Sequence, residues 1–263
     1  MADKLVIVGA AGRMGKHIIN LAEKADQFDV VAAVERPDHP DIGKDAGVTA
    51  GLNPIGVALS GEFSVVADMA VDFSTPEVAD STIDYCTANN AVLVMGTTGL
   101  SDHQRKKITD ASTKIPIVYA TNMSVGMNVM FALVAKTAAM LGEAYDIEII
   151  EQHHRFKKDA PSGSALTLAE NICKATNRDF PECLVHGRSG EQPRKEGTIG
   201  MHAVRAGDIT GIHSVIYATL GEKITLTHTA HSRDTFAVGA LRAALWLTRR
   251  NPGMYTMADV LGI

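Results

Sequence analysis

The sequence predicts an α/β fold in which a parallel sheet occupies the first half and a smaller, mixed α+β region follows. Three observations lead there. Short apolar runs alternate with helical patterns through the first half, as in a succession of βαβ units. A glycine-rich turn joins the first of those runs to the first helical pattern. Later in the chain the runs lengthen into strands with a single helix among them. At 263 residues, 46% of them hydrophobic, the chain can bury a real core in each region.

Taken in order, residues 5–8 (Leu-Val-Ile-Val) read as a buried strand, 14–25 as a helix and 30–34 as a second strand. From 36 to 63 the periodicity dissolves into Pro, Gly and Asp, which predicts a long surface excursion. Regularity returns with a strand at 70–73, a helix at 76–89 opened by Thr75 and Pro76, and a strand at 91–95. A helix at 102–113 and a strand at 115–120 complete the series. Asn122-Met123-Ser124 introduces a long helix to about Leu141, followed by strands at 146–152, 212–220 and 223–230 and a helix at 165–175. The last helix, 235–247, is apolar enough to pack on a sheet and is expected to return to the first region, so that residues 1–123 with 234–263 form one domain and 124–233 the other.

Gly9-Ala10-Ala11-Gly12-Arg13-Met14-Gly15 lies where a strand gives way to a helix, the place at which a Rossmann-type domain seats a pyrophosphate. Glycine permits the tight turn and the close approach of phosphate oxygens, and the helix start offers unsatisfied N–H groups and a positive dipole end. The spacing is G-x-x-G-x-x-G, with Ala11 where the common fingerprint has its second Gly. Glu35, twenty residues beyond Gly15, stands where a carboxylate accepts hydrogen bonds from the adenosine ribose, and Arg36 beside it could pair with a 2′-phosphate. Gly96-Thr97-Thr98-Gly99 follows another strand, on the sheet edge where ligands of such folds bind. The cofactor expected is therefore NADH or NADPH.

The densest polar chemistry is Glu151-Gln152-His153-His154-Arg155-Phe156-Lys157-Lys158-Asp159-Ala160-Pro161-Ser162-Gly163-Ser164, at the end of an apolar strand. If the strand continued, His153, Arg155 and Lys157 would share one face and His154, Phe156 and Lys158 the other. Ser162-Gly163-Ser164 opens the following helix, whose N–H groups can hold a carboxylate. Arg155, Lys157 and Lys158 add cations, and His153 or His154 can lend a proton near neutrality. The other histidines, among them His202, His213, His228 and His231, are expected on strands in no ligand-like arrangement, so no metal site is predicted.

Composition narrows the classes of function. A net charge of −5 gives no basic field for nucleic acid. The first apolar run is too short for a signal peptide or a membrane span, and three cysteines without a CxxC spacing, Cys86, Cys173 and Cys183, suit a reducing, cytoplasmic setting.

These motifs together, with Asn122-Met123-Ser124-Val125-Gly126-Met127-Asn128, Gly197-Thr198-Ile199-Gly200 and Val204-Arg205-Ala206-Gly207-Asp208, resemble the dihydrodipicolinate reductase family from Val8 to nearly the end of the chain, and the His-His segment is the most specific part. The resemblance implies reduction of 4-hydroxy-tetrahydrodipicolinate, a cyclic dicarboxylate, or of its dehydrated form, by a cytoplasmic homotetramer of two-domain subunits, with substrate and cofactor meeting between domains. It implies His153 as proton donor and Lys157 as its partner in catalysis, with His154, Gly163 and Ser164 binding substrate. For the cofactor it implies Gly9, Ala10, Ala11, Gly12, Arg13, Met14, Glu35, Arg36, Gly96, Thr97, Thr98, Ala120, Thr121, Asn122 and Met123. Two positions depart from the family pattern: Ser164 stands for the usual Thr, keeping the hydroxyl, and Met123 for a common aromatic residue.

Overall fold

A computed structural model describes residues 2–263. In chain order its elements are β1 (Asp3–Val8), α1 (Arg13–Ala22), β2 (Phe28–Val34), α2 (Ala46–Thr49), β3 (Leu59–Ser60), β4 (Met69–Asp72), α3 (Pro76–Asn89), β5 (Val92–Met95), α4 (Asp102–Ser112) and β6 (Pro116–Tyr119). Then follow α5 (Val125–Leu141), β7 (Asp146–His153), α6 (Gly163–Thr176), β8 (Leu184–His186), β9 (Ile199–Arg205), β10 (Gly211–Thr219), β11 (Glu222–Ala230), α7 (Asp234–Leu247), β12 (Gly253–Tyr255) and α8 (Met257–Leu261). The chain divides into two compact units, one running to Val125 and resuming over Arg233–Gly262, the other spanning Gly126–Ser232.

The first unit is built on a seven-stranded sheet in the order β12-β6-β5-β4-β1-β2-β3, every pair parallel. Six of these strands keep the Rossmann order, which reverses between β1 and β4, and β12 extends one edge. Alternation along each strand sends side chains to opposite faces. Leu5, Ile7, Met69, Val71, Val92 and Val94 pack with α1 and α7 on one face, while Val6, Val8, Ala70, Leu93 and Met95 pack with α3 and α4 on the other. A sheet covered on both faces reads as continuous apolar runs, which is why these strands stand out in the sequence. Local signals end the helices: Asn90 takes the left-handed conformation after α3, and Ser101 with Gln104 forms a capping box before α4.

The second unit carries a five-stranded mixed sheet, β11-β10-β7-β9-β8, with β10 antiparallel to both β7 and β11 and β9 parallel to both β7 and β8. One face buries Ile147, Ile149, Met201, Val215 and Tyr217 against Met127, Met130 and Val134 of α5 and Leu168, Ala169 and Ile172 of α6. The opposite row, including Ile150, Ile212, Ile216 and Thr225, is half-buried or exposed. The stretch Val125–Ala144 is long and apolar enough to cross a membrane by length and composition; in this fold its Met127, Met130 and Val134 line the unit's core.

Four expectations need correction. The excursion from 36 to 63 contains α2 and the short edge strand β3, held by the side chain of Asp45, which accepts from the amides of Val48, Ile55 and Gly56. That Asp-centred turn has no apolar period to betray it. β9, expected only as a strand under His202 and given no bounds, sits between β7 and β8; Ile199-Gly200-Met201-His202 lacks the β-branched run that marks its neighbours. Strand geometry does not persist past His153, since the chain turns at Arg155 and Phe156. Lastly, His231 lies just beyond β11 rather than on a strand.

Candidate active site

In the first unit the proposed cofactor residues gather at the carboxyl ends of the parallel strands. Gly9 leaves β1 with φ of 77°, a conformation that favours glycine, and its amide and that of Ala10 donate to the Val34 carbonyl, tying the turn to the end of β2. Gly12 is the N-cap of α1 and brings no side chain to cap it, so the first turn, starting at Arg13 and Met14, keeps donors for an anion. Gly15 is required by packing: a Cβ there would run into the Gly9 carbonyl oxygen and the Ala10 backbone. Glu35 follows β2 and accepts from the amides of Ala11 (3.1 Å) and Arg36 (2.9 Å). The Arg36 guanidinium is exposed, 3.8 Å from Asp38.

Around Gly96, Thr97 and Thr98 the sequence reading missed two residues. Phe73 lies so close that a Cβ on Gly96 would enter its ring, and its carbonyl oxygen would sit 2.7 Å from a Cβ on Gly9, so it packs between both glycine turns. Asp72, fully buried at the end of β4, accepts from the Thr97 hydroxyl (2.8 Å) and from the Ser74 amide (2.8 Å) and hydroxyl (2.6 Å). A carboxylate ending a wholly apolar strand is the signal that marks it. The Ala120 amide donates to the Met95 carbonyl at 3.2 Å, Thr121 is exposed, and the Asn122 side chain accepts from the Ser124 amide. Met123 is 1% exposed in the core beside Ala237 and Ala240, so its contribution at this edge is its backbone. Arg233, at the N-cap of α7, is also drawn in: burial first and then the Arg13 guanidinium hold it below the usual arginine range.

The second unit concentrates its chemistry at the end of β7. The inward row of that strand runs Ile147, Ile149, Glu151, His153, passing from apolar to ionic. Glu151 is fully buried and its two oxygens meet His153 Nδ1 at 2.5 Å, both terminal nitrogens of Arg205 at 2.9 and 2.8 Å, and the Ser162 amide at 3.1 Å. Burial resists its ionisation, but the hydrogen bonds from His153 and Arg205 outweigh that and hold the carboxyl down at about 2. Strand register makes the cluster: Arg205 on β9 pairs with His153, and His213 on β10 pairs with Glu151. The His213 ring meets that of His153 edge-on, centroids 5.1 Å apart, and its Nε2 lies 3.1 Å from the Ser162 hydroxyl. Burial, and then the His153 imidazole, push His213 down to about 3.

Ser162 caps α6 through the Ala165 amide (3.2 Å), which leaves Gly163 and Ser164 in the first turn. Lys157 pairs with Asp159 at 2.9 Å, and the Asp159 carbonyl accepts from Arg205 at 2.5 Å, so the loop bearing Lys157 is tied to Glu151. His154 is half-buried, its ring centroid 6.3 Å from that of Phe156. The structure therefore joins His153, Lys157 and the start of α6 into one hydrogen-bonded group, with Arg205 and His213 as members the sequence reading left out of it and Glu151 as one to which it gave no role. Sequence could have found Glu151, since strict alternation from Ile147 places a carboxylate on a buried face. Cys173 and Cys183, distant from this group in role, meet with their sulfurs 3.0 Å apart.

A Rossmann sheet with a glycine-lined strand-to-helix turn, in one chain with a buried Glu–His pair beside a helix start, defines a pyridine-nucleotide-dependent oxidoreductase. The family profile described as dihydrodipicolinate reductase, N-terminus, matches residues 3–123, and that described as dihydrodipicolinate reductase, C-terminus, matches residues 126–261. The chain is 45% identical to the 4-hydroxy-tetrahydrodipicolinate reductase of Alkalilimnicola ehrlichii, covering all of both, and 46% identical to that of Hahella chejuensis, covering 99% of both. Among solved structures it resembles a dipicolinate-bound dihydrodipicolinate reductase from Paenisporosarcina, with a TM-score of 0.77 at 23% identity, over 98% of this chain and 99% of that one. The chain belongs to the dihydrodipicolinate reductase family.

Proposed function

We propose that this protein reduces 4-hydroxy-tetrahydrodipicolinate, or its dehydrated form, to tetrahydrodipicolinate with NADH or NADPH, in diaminopimelate and lysine biosynthesis. The observation that carries the reading is the buried Glu151–His153 pair, 2.5 Å apart, beside the Ser162-capped start of α6, in a chain of this reductase family. Residues 1–123 with 234–263 act as the dinucleotide-binding domain and 124–233 as the substrate-binding and oligomerisation domain.

The glycine turn from Gly9 to Met14 takes the pyrophosphate on the uncapped start of α1, where Arg13 adds a cation. Glu35 and Arg36 take the adenosine ribose, and Gly96, Thr97, Thr98 and the segment Ala120, Thr121, Asn122, Met123 take the nicotinamide end. When bound, the nucleotide supplies the hydride. His154, Gly163 and Ser164 bind the substrate, with the start of α6 holding one of its carboxylates. His153 protonates the ring position adjacent to the one reduced, and the Lys157 ammonium supports the negative charge that develops there. The half-buried outer row of the second sheet, with Ile150, Ile212 and Ile216, supports a homotetramer assembled through that unit. The packing of one face of α5, through Met127, Met130, Val134 and Ala138, into the core of the second unit supports a soluble, cytoplasmic protein.

The experiment is a coupled assay in which the preceding synthase makes the substrate in situ from pyruvate and aspartate semialdehyde, and loss of reduced-nicotinamide absorbance is followed with each cofactor. Oxidation that depends on the synthase is expected, and the two rates rank NADH against NADPH. His153→Gln is expected to lower kcat by about 10²–10⁴-fold. A near-normal kcat in that variant sinks the role of His153, and no oxidation with either cofactor sinks the reductase reading.

A further inference from the structure

His153 can present either ring nitrogen to a substrate, and a proton donor must present the right one. The Nδ1 side is taken by Glu151 at 2.5 Å, an acceptor that, as a carboxylate, can only receive a proton-bearing nitrogen. The Nε2 side faces Gly211, the first residue of β10, where even a methyl group would stand 3.2 Å from Nε2. The ring edge is fixed by His213. Glu151 is itself immobilised, because Arg205 grips both of its oxygens and the Ser162 amide closes on one of them.

We infer that Glu151 is the positioning residue of the reaction: it holds His153 with Nδ1–H turned inward, so that the doubly protonated ring delivers its Nε2 proton to the substrate and is left as the neutral Nδ1–H tautomer. Through Arg205 and the Asp159 carbonyl the same carboxylate steadies the loop of Lys157, and through the Ser162 amide it fixes the start of α6. One buried anion thus aligns the proton donor, its cationic partner and the substrate anchor. Gly211 completes the arrangement by keeping a side chain away from Nε2.

The inference rests on the reductase reading, and the coupled assay separates the two. Glu151→Gln keeps the shape of the side chain but can turn an N–H toward Nδ1, which disfavours the Nδ1–H that the doubly protonated donor must carry. It is expected to lower kcat about 10²-fold with KM within about twofold, and to move the pH profile of kcat. The charged and titratable groups around His153 in that profile are Glu151, Arg205 and His213, with Lys157 and Asp159 joined to them through Arg205. Glu151→Asp, which restores the charge at a longer reach, is expected to recover part of the rate.

The second measurement needs no variant at position 151. In protein labelled with ¹⁵N-histidine, a low-field proton on His153 Nδ1 is expected, assigned by its loss in His153→Gln. Its absence from the wild-type protein overturns the inference, as does a Glu151→Gln enzyme with unchanged kcat and pH profile while the wild type turns over. Absence of wild-type turnover overturns the reductase reading and this inference together.

Discussion

Gly163 separates what the fold needs from what a ligand needs. A Cβ at this position would meet no protein atom within 4 Å, and its backbone lies in no left-handed region, so nothing in the chain requires glycine at the first position of α6. Gly163→Ala is therefore expected to leave thermal stability unchanged or slightly raised, by about 0.4–1 kcal/mol from the stiffer unfolded chain. If a substrate carboxylate approaches that helix start, the added methyl costs about 1–3 kcal/mol of binding, a rise in KM of roughly 5- to 150-fold. An unchanged KM in the coupled assay removes Gly163 from the substrate site. At this scale the sequence showed the residues clustered locally, His153 through Ser164, but hid those delivered by pairing. Arg205 and His213 lie 54 and 51 residues from the Glu151 and Ser162 atoms they bond, and no local spacing encodes that meeting.

Elements whose identity is written in neighbouring residues were legible. The β1–turn–α1 unit combines an apolar run, glycines and a helical period within twenty residues, and the structure adds the steric reason for its last glycine. Gly15→Ala places a methyl against the Gly9 carbonyl, where backbone cannot yield. A loss of about 1–3 kcal/mol in denaturant unfolding followed by Trp246, the chain's one tryptophan, is expected, together with weakened NADH binding in a titration. Wild-type stability and affinity in that variant would show that the turn can relax. By contrast β9 and β3 become strands through their partners: Ile199–Arg205 pairs along β7, and Leu59–Ser60 adds only two residues to β2. The break after His153 was equally hidden, because the turn is fixed by the Arg155 amide reaching the Gly207 carbonyl, far along the chain.

At the scale of the whole molecule, the two units respond differently to acid because the buried ionic cluster belongs to the second. Glu151 is held at about 2 against an ordinary value of 4.5, so the stability it confers is complete above about pH 4.5 and is lost as pH falls toward 2. His213, at about 3 against 6.5, is neutral when folded; its contribution is complete above about pH 6.5 and is lost as the unfolded chain gains that proton at lower pH. The second unit is therefore expected to weaken steadily below pH 6.5, seen as a falling denaturant midpoint by circular dichroism, and a midpoint constant from pH 7 to 4 would contradict it. Strand length in the sequence changes where one sheet gives way to the other, and α7 returns to pack in the first unit. That return also sets a timetable during synthesis. A ribosome delivers every strand of the second unit before it delivers α7, so Met69, Val71, Val92 and Val94 wait on the part of a sheet face that α7 has yet to cover. The unit begun first is the last that can be finished, and during that interval its bare apolar face is the part of the nascent polypeptide most in need of a chaperone.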